Sequence, residues 1–282
     1  MNDAISVAAN AKINLYLDIT GRRADGYHLL ETVMQSVDLC DIVTVSLAKS
    51  EISAFCTNPD IPQNEQNICH KAAKLFFERT ESARGAEIHI DKRIPDGAGL
   101  GGGSADAAAV LFALNTLSGL PLRDYELSEL AAKVGADVPF CLVGGTSVCK
   151  GIGDAAQPTE PPEKRFFLIV KPNFRCPTAE AYAKYDSSPV SPKNALKAFC
   201  NAGSRYHEEL YNIFEQIYRD ERISALKSKL SETGAIGSSL TGSGSAVFGV
   251  YETRERAISA AKAFPQMFTA VASPVESGLV VI

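Results

Sequence analysis

A two-domain α+β fold is what the chain predicts, on three observations. Strand-like and helical stretches occur in both halves, with hairpin-like stretches early on and no regular βαβ alternation. A run rich in proline and charge, Gln157 to Lys164 with Pro158, Pro161 and Pro162, separates two patterned regions. A glycine-rich loop, Pro95 to Asp106, opens a helix in the first region. The division is placed at 1–157 and 158–282.

Taken in order, Ile13, Leu15 and Leu17 alternate with Asn14, Tyr16 and Asp18, a strand pattern. Ile42 to Leu47 is a β-branched run with Val43, Val45 and Leu47 on one face. From Asn67 to Arg79 the period changes, and Ile68, Ala72, Leu75 and Phe76 form one helical stripe. Ile88 and Ile90 alternate with polar neighbours, so a short strand feeds the glycine loop. A helix then runs from about Ser104 to Ser118, stopped by Gly119 with Pro121 two residues on. A helix at Leu127 to Val134 and a strand at Phe140 to Val143 follow. The second region restarts with the strand Phe166 to Val170 and has helices near Ala179, Tyr206 and Glu221. Ser238 to Ser245 is a second Ser/Thr/Gly turn before the strand Ala246 to Tyr251, and a last helix and strand close the chain.

Composition narrows the function classes. Of 282 residues, 45% are hydrophobic and 22% charged, enough for a substantial core. A net charge of −5 argues against nonspecific nucleic-acid binding. A polyphosphate ligand then needs local positive charge, for which Arg22, Arg23, Lys92 and Arg93 are the clusters available. The seven cysteines form no C-x-x-C pair and the four histidines are dispersed, so neither a disulfide frame nor a local metal motif is expected. No membrane span or secretory leader is legible, and a cytoplasmic protein, monomeric or weakly dimeric, is the expectation.

The loop Pro95-Asp96-Gly97-Ala98-Gly99-Leu100-Gly101-Gly102-Gly103-Ser104-Ala105-Asp106 carries the strongest chemical signal. Glycines bring bare N–H groups against a large anion, and a helix starting there adds free N–H groups and a positive dipole end. The loop is not a P-loop, because Gly103 stands where Gly97 and Gly102 would demand lysine. Gly97, Gly99 and Gly102 have dinucleotide spacing, but no acidic residue closes a second strand at the right distance. The H-R-D and D-F-G strings of protein kinases do not occur.

Three blocks stand in one order: Ala9-Asn10-Ala11-Lys12-Ile13-Asn14-Leu15, the Pro95 to Asp106 loop, and Leu240-Thr241-Gly242-Ser243-Gly244. Together they resemble the GHMP small-molecule kinases, over nearly the whole chain. Two further strings, Gly21 to His28 (GRRADGYH) and Gly135 to Pro139 (GADVP), are similar to the branch acting on a cytidine diphosphate ester of methylerythritol. The resemblance implies an N-terminal ribosomal-protein-like α+β domain and a C-terminal ferredoxin-like domain, with the active site in the cleft. It implies transfer of a phosphoryl group from ATP to the 2-hydroxyl of that small-molecule substrate, on the non-mevalonate isoprenoid route. A same-fold kinase for homoserine or mevalonate, or an inactive nucleotide-binding relative, are the alternatives.

The resemblance also implies roles. Lys12 and Asp137 match the catalytic pair. Read without it, Lys12 is equally an edge-strand lysine, and Asp137 a helix cap or turn residue. Pro139 biases Val138 toward an extended backbone beside Asp137. Pro95 to Ala105 would hold ATP, with Ser104 at the helix N-cap and Asn67 and Ile68 on the adenine side. Asn14, on the strand face of Lys12, would bind substrate. Tyr27, His28, Thr178 and Tyr182 would take the cytidine. Thr241, Gly242, Ser243 and Gly244 would close over the phosphate. Asp106 either turns away from the triphosphate or faces Mg2+, for which no ligand is assigned; the ion is expected to arrive with ATP.

Overall fold

The structure, a computed structural model, describes residues 4–161 and 163–282. Pro162 of the proline-rich segment lies outside the described residues.

The first sheet is built on two long antiparallel strands, β1 (Ala4–Arg22) and β2 (His28–Ala48). A turn at Arg23 to Tyr27 joins them, with Gly26 at φ +93°. Also in the first half are β3 (Ile52–Cys56), β4 (Gly85–Asp91), β5 (Thr146–Lys150) and β6 (Ala155–Pro158). The second half contributes β7 (Phe166–Lys171), β8 (Tyr211–Asn212), β9 (Gly237–Leu240), β10 (Val247–Tyr251), β11 (Phe268–Ala272) and β12 (Leu279–Val281). Sheet one runs β12-β1-β2-β4-β3, with β5 and β6 continuing from β2, and β8 beside β1. Sheet two runs β11-β7-β10-β9.

Four helices belong to the first half: α1 (Ile68–Arg79), α2 (Gly102–Leu117), α3 (Asp124–Val134) and α4 (Val138–Val143). The helix α2 lies across β1 and β2 and is flanked by the other three. Its sequence is Ala-rich and buried on nearly every side, as a central helix must be. It ends at Leu117, with Gly119 at φ +81° just beyond, and Asn115 in its last turn caps the next loop through two hydrogen bonds with the Leu122 backbone. The second half has α5 (Thr178–Ser187), α6 (Leu196–Asn201), α7 (Ile213–Tyr218), α8 (Glu221–Glu232) and α9 (Arg254–Ala261). The order β7-α8-β9-β10-α9-β11 on an antiparallel four-stranded sheet is the split βαβ, ferredoxin-like arrangement. The elements α5 to α7 are inserted into it after β7.

Several local expectations change. Phe140 to Val143 is the helix α4, not a strand, and Val138 is its first residue rather than extended. Proline is compatible with a first helical turn because its missing N–H has no intrahelical partner there. Tyr206 sits in a 3-10 turn, Gly203–Glu208. Residues 13–18 are buried on both faces despite their alternation, because both faces of β1 are covered.

Candidate active site

Lys12 leaves the middle of β1 with only 4% of its side chain exposed, so it is not an edge-strand lysine. Its backbone N–H donates to the Leu100 carbonyl at 2.9 Å, which ties the strand directly to the glycine loop. Its Nζ donates to Asn14 Oδ1 at 2.8 Å and lies 3.4 Å from Asp137 Oδ2. Asp137 precedes α4 but makes no side-chain cap; its carboxylate faces the lysine instead. Asn14 Oδ1 also accepts the Gly242 N–H at 2.9 Å, and Asn14 Nδ2 donates to Thr32 Oγ1 at 2.9 Å. One buried amide therefore links the lysine, the second glycine turn and β2.

The two glycine turns are packed backbone on backbone. Thr241 Oγ1 donates to the Gly99 carbonyl at 3.0 Å, and the Ala246 N–H donates to the Ala98 carbonyl at 3.1 Å. Ser104 is not the helix cap. The cap is Gly101 at φ +71°, and α2 begins at Gly102. A Cβ on Gly101 would stand 2.9 Å from the Lys12 side chain, so the lysine and the helix start claim the same space. A hollow of about 240 Å³ runs along Pro95 to Ser104, with Ile68 and Lys92 on its wall. Asn67 does not line it. That side chain caps α1, accepting the Cys69 N–H at 2.8 Å and donating to the Pro62 carbonyl at 2.7 Å. Ala105 is fully buried behind the loop.

Beneath the loop lies a charged cluster that no sequence pattern announces. Lys92 Nζ sits 2.5 Å from Asp41 Oδ2 and 2.6 Å from Asp106 Oδ2. Asp41 Oδ1 accepts the N–H groups of Arg93 at 2.6 Å and Ile94 at 2.7 Å. The cluster pins the entry of the loop to α2, and Asp106 turns away from the hollow along the loop. Two carboxylates share one ammonium, and Asp106 Oδ1 is buried with no partner. Burial pushes the Asp106 carboxyl up to about 8, against the pull of Lys92 and with Asp41 adding to the rise. The folded protein thus keeps a proton that the unfolded chain releases from about pH 4 upward, and stability falls as pH rises toward 8. Relative to Asp106→Asn, the wild type is expected to lose several degrees of melting temperature between pH 5 and 8. Parallel curves would contradict the assignment.

A wider cleft of about 670 Å³ extends from this point. Lys12, Asn14, Asp137, Ser104, Gly99, Gly101, Gly242 and Ser243 line one end, and Tyr27, His28, Thr178 and Tyr182 the other. The His28 and Tyr182 rings are stacked, 4.6 Å between centroids and 21° between planes. Tyr182 is held edge-on by Phe214, and His28 Nε2 lies 2.7 Å from Asp186 Oδ1. Burial, reinforced by Asp137, pushes the Tyr182 hydroxyl up to about 12, so the ring stays neutral. Thr178 and Ser243 hydroxyls are 2.9 Å apart, and Tyr27 is 60% exposed at the rim. Gly244 packs behind the turn against Cys176 and Leu240. The sequence reading missed Asp186, although its position four residues after Tyr182 puts both on one helix face. It missed Asp41 for lack of any signal, since 51 residues separate it from Lys92.

A glycine-rich loop at a helix start, a Lys–Asp pair on the cleft wall and an aromatic shelf in one cleft fit a small-molecule phosphotransferase site. The family models agree. Residues 67–145 match the GHMP kinases N terminal domain and residues 193–270 the GHMP kinases C terminal domain. The chain belongs to the GHMP kinases and has their two-domain fold. More particularly, the 4-diphosphocytidyl-2-C-methyl-D-erythritol kinase of Clostridium tetani is 39% identical over 267 residues, 90% of this chain and 93% of that protein. The kinase of the same name from Syntrophomonas wolfei is 39% identical over 280 residues, 96% and 98% of the two chains. A crystal structure of 4-(cytidine 5'-diphospho)-2C-methyl-D-erythritol kinase superposes with a TM-score of 0.82 at 31% identity, covering 96% of this chain and 99% of that one. A homoserine kinase from Cytophaga hutchinsonii superposes at 0.78 with 20% identity over 100% and 98% of the chains, a likeness of fold alone.

Proposed function

We propose that this protein transfers the γ-phosphoryl group of ATP to the 2-hydroxyl of 4-diphosphocytidyl-2-C-methyl-D-erythritol, giving the 2-phosphate and ADP on the non-mevalonate route to isoprenoid precursors. The stacked His28–Tyr182 pair, opening on the same cleft as Lys12 and Asp137, carries this reading. It offers a flat face and polar edges to a pyrimidine, which homoserine and mevalonate lack. Asp186 holds the His28 ring by Nε2, leaving Nδ1 for the base.

Phosphoryl transfer needs positioning and charge neutralisation more than covalent help. In this reading the N–H groups of Gly97 to Gly103 and the start of α2 take the phosphates. Asp137 orients the substrate hydroxyl and accepts its proton late. Lys12 steadies the charge developing on that oxygen, and Asn14 keeps one amide hydrogen for the polyol. Among the described residues no cluster of three or more His, Cys, Asp or Glu is placed to hold a metal ion. In this reading Mg2+ would enter with ATP and supply positive charge to the phosphates, with the Ser104 hydroxyl on the cleft wall as an available protein oxygen. We place the lobe division at 157/158, a soluble cytoplasmic role fits charged metabolites of this size, and a monomer or weak homodimer is the working state.

The test is ATP-dependent phosphorylation of the cytidyl substrate, with homoserine and mevalonate assayed beside it. Turnover of the cytidyl substrate alone supports the proposal, and turnover of another alcohol in its place overturns it. Tyr182→Ala is expected to raise KM for the cytidyl substrate about tenfold, the loss of one stacked ring. Tyr182→Phe should leave KM nearly unchanged, and equal effects of the two variants would point to a role for the hydroxyl instead.

A further inference from the structure

The cations nearest the phosphate loop are committed elsewhere. Lys12 serves Asn14 and Asp137. Lys92 is clamped between Asp41 and Asp106, both fully or almost fully buried. Of the other clusters expected from sequence, Arg22 lies with Asp186, Arg23 with Asp25 and Arg93 with Asp91. A triphosphate entering the loop would still meet a carboxylate on the loop itself, Asp96, 45% exposed.

Arg175 is the group that answers this. Its Nη2 lies 3.4 Å from Asp96 Oδ2, and its arm lies along Gly97, where a Cβ would stand 3.9 Å from Cδ and 4.0 Å from Nε. Arg175 comes from the second half of the chain, across from the loop. Its backbone is fixed on both sides. The Phe174 carbonyl accepts from Ser245 Oγ at 2.6 Å, and the Phe174 ring is covered by the Arg222 guanidinium at 3.9 Å. The Cys176 carbonyl accepts from Ser243 Oγ at 3.5 Å, and Thr178 bonds the same serine. The base of the side chain is thus stapled to the second glycine turn, while the guanidinium is 60% exposed.

Resting on the kinase reading above, we propose that Arg175 is a nucleotide-binding residue that exchanges Asp96 for the triphosphate of ATP. An ion pair this exposed is screened by solvent and weakly held, so it breaks readily. A guanidinium binds phosphate oxygens in a fork, and a polyanion is a stronger partner than one solvated carboxylate. Asp96 then acts as the resting partner that holds the arginine over the loop before ATP arrives.

Calorimetric binding of ATP and of adenosine to the intact protein tests this. Arg175→Ala should weaken ATP about tenfold or more and leave adenosine within twofold, with Arg175→Lys intermediate. Asp96→Asn, which frees the arginine and removes a repulsive charge, should tighten ATP severalfold, and by less when Arg175 is absent. If wild type binds ATP and Arg175→Ala binds it equally well, the inference falls while the kinase reading stands. If wild type binds no ATP, both fall. An equal loss of ATP and adenosine would mean a merely structural role and overturn the proposal.

Discussion

Asp137→Asn is expected to lower kcat by about 10²- to 10⁴-fold, the range of a positioned general base, with KM for either substrate changed less than about threefold. The carboxylate reaches Lys12 Nζ at 3.4 Å from a 30%-exposed position on the cleft wall. Asparagine keeps the volume and can still accept a hydrogen bond, but cannot take the hydroxyl proton. It also leaves the buried Lys12 without its counter-charge, which raises the energy of that site in the ground state and the transition state alike. The variant should stay folded, because the remaining partner of Lys12, Asn14, is retained. Measured kcat within tenfold of wild type would remove Asp137 from the catalytic role and leave the lysine as the principal electrostatic group.

Gly99→Ala should be strongly damaging to stability and to ATP binding together. Gly99 has φ +77°, and a Cβ there would stand 2.1 Å from the Thr241 carbonyl oxygen and 3.3 Å from the Gly244 nitrogen. Left-handed strain of about 1–2 kcal/mol adds to an overpacking cost of about 1–3 kcal/mol. The contact is backbone on both sides, so no side-chain rotation relieves it. The sum, about 2–5 kcal/mol, corresponds to roughly 5–20 °C in melting temperature for a protein of this size. ATP binding should fail with it, since the same contact sets the spacing between the two glycine turns. Gly103→Ala is the control: its Cβ would meet only Ile68 at 3.6 Å, inside a helix turn with ordinary φ. There the melting temperature should hold or rise slightly. A Gly99→Ala protein as stable as the control would mean the turns are not locked together.

Much of this site was legible in the chain because its signals are local. Glycine spacing followed by an apolar helix announces an anion cradle through backbone sterics alone, and Lys12 and Asn14 share a strand face by the period of two. The resemblance of the GRRADGYH and GADVP strings then put Tyr27, His28 and Asp137 on the same page. What failed was also local. Phe140 to Val143 looks like a strand because four apolar residues fit either period. Ser104 looks like a cap because hydroxyls favour caps, whereas a glycine at positive φ started the helix one turn-fraction earlier.

The sequence by itself determined where the glycine-rich loop lies and that a helix follows it, since both rest on neighbours within a dozen positions, and the resemblance of its blocks determined the class of chemistry. Only the tertiary structure decided where the charges go. Asp41 meets Lys92 across 51 residues, Asp137 meets Lys12 across the first domain, and Asp186 reaches His28 across 158 residues. It also turned Asp106 inward and set Arg175 over Gly97. A charge interacts with whatever the fold brings within a few ångströms, and burial decides how strongly. Neither distance nor burial is written in the spacing of residues along a chain.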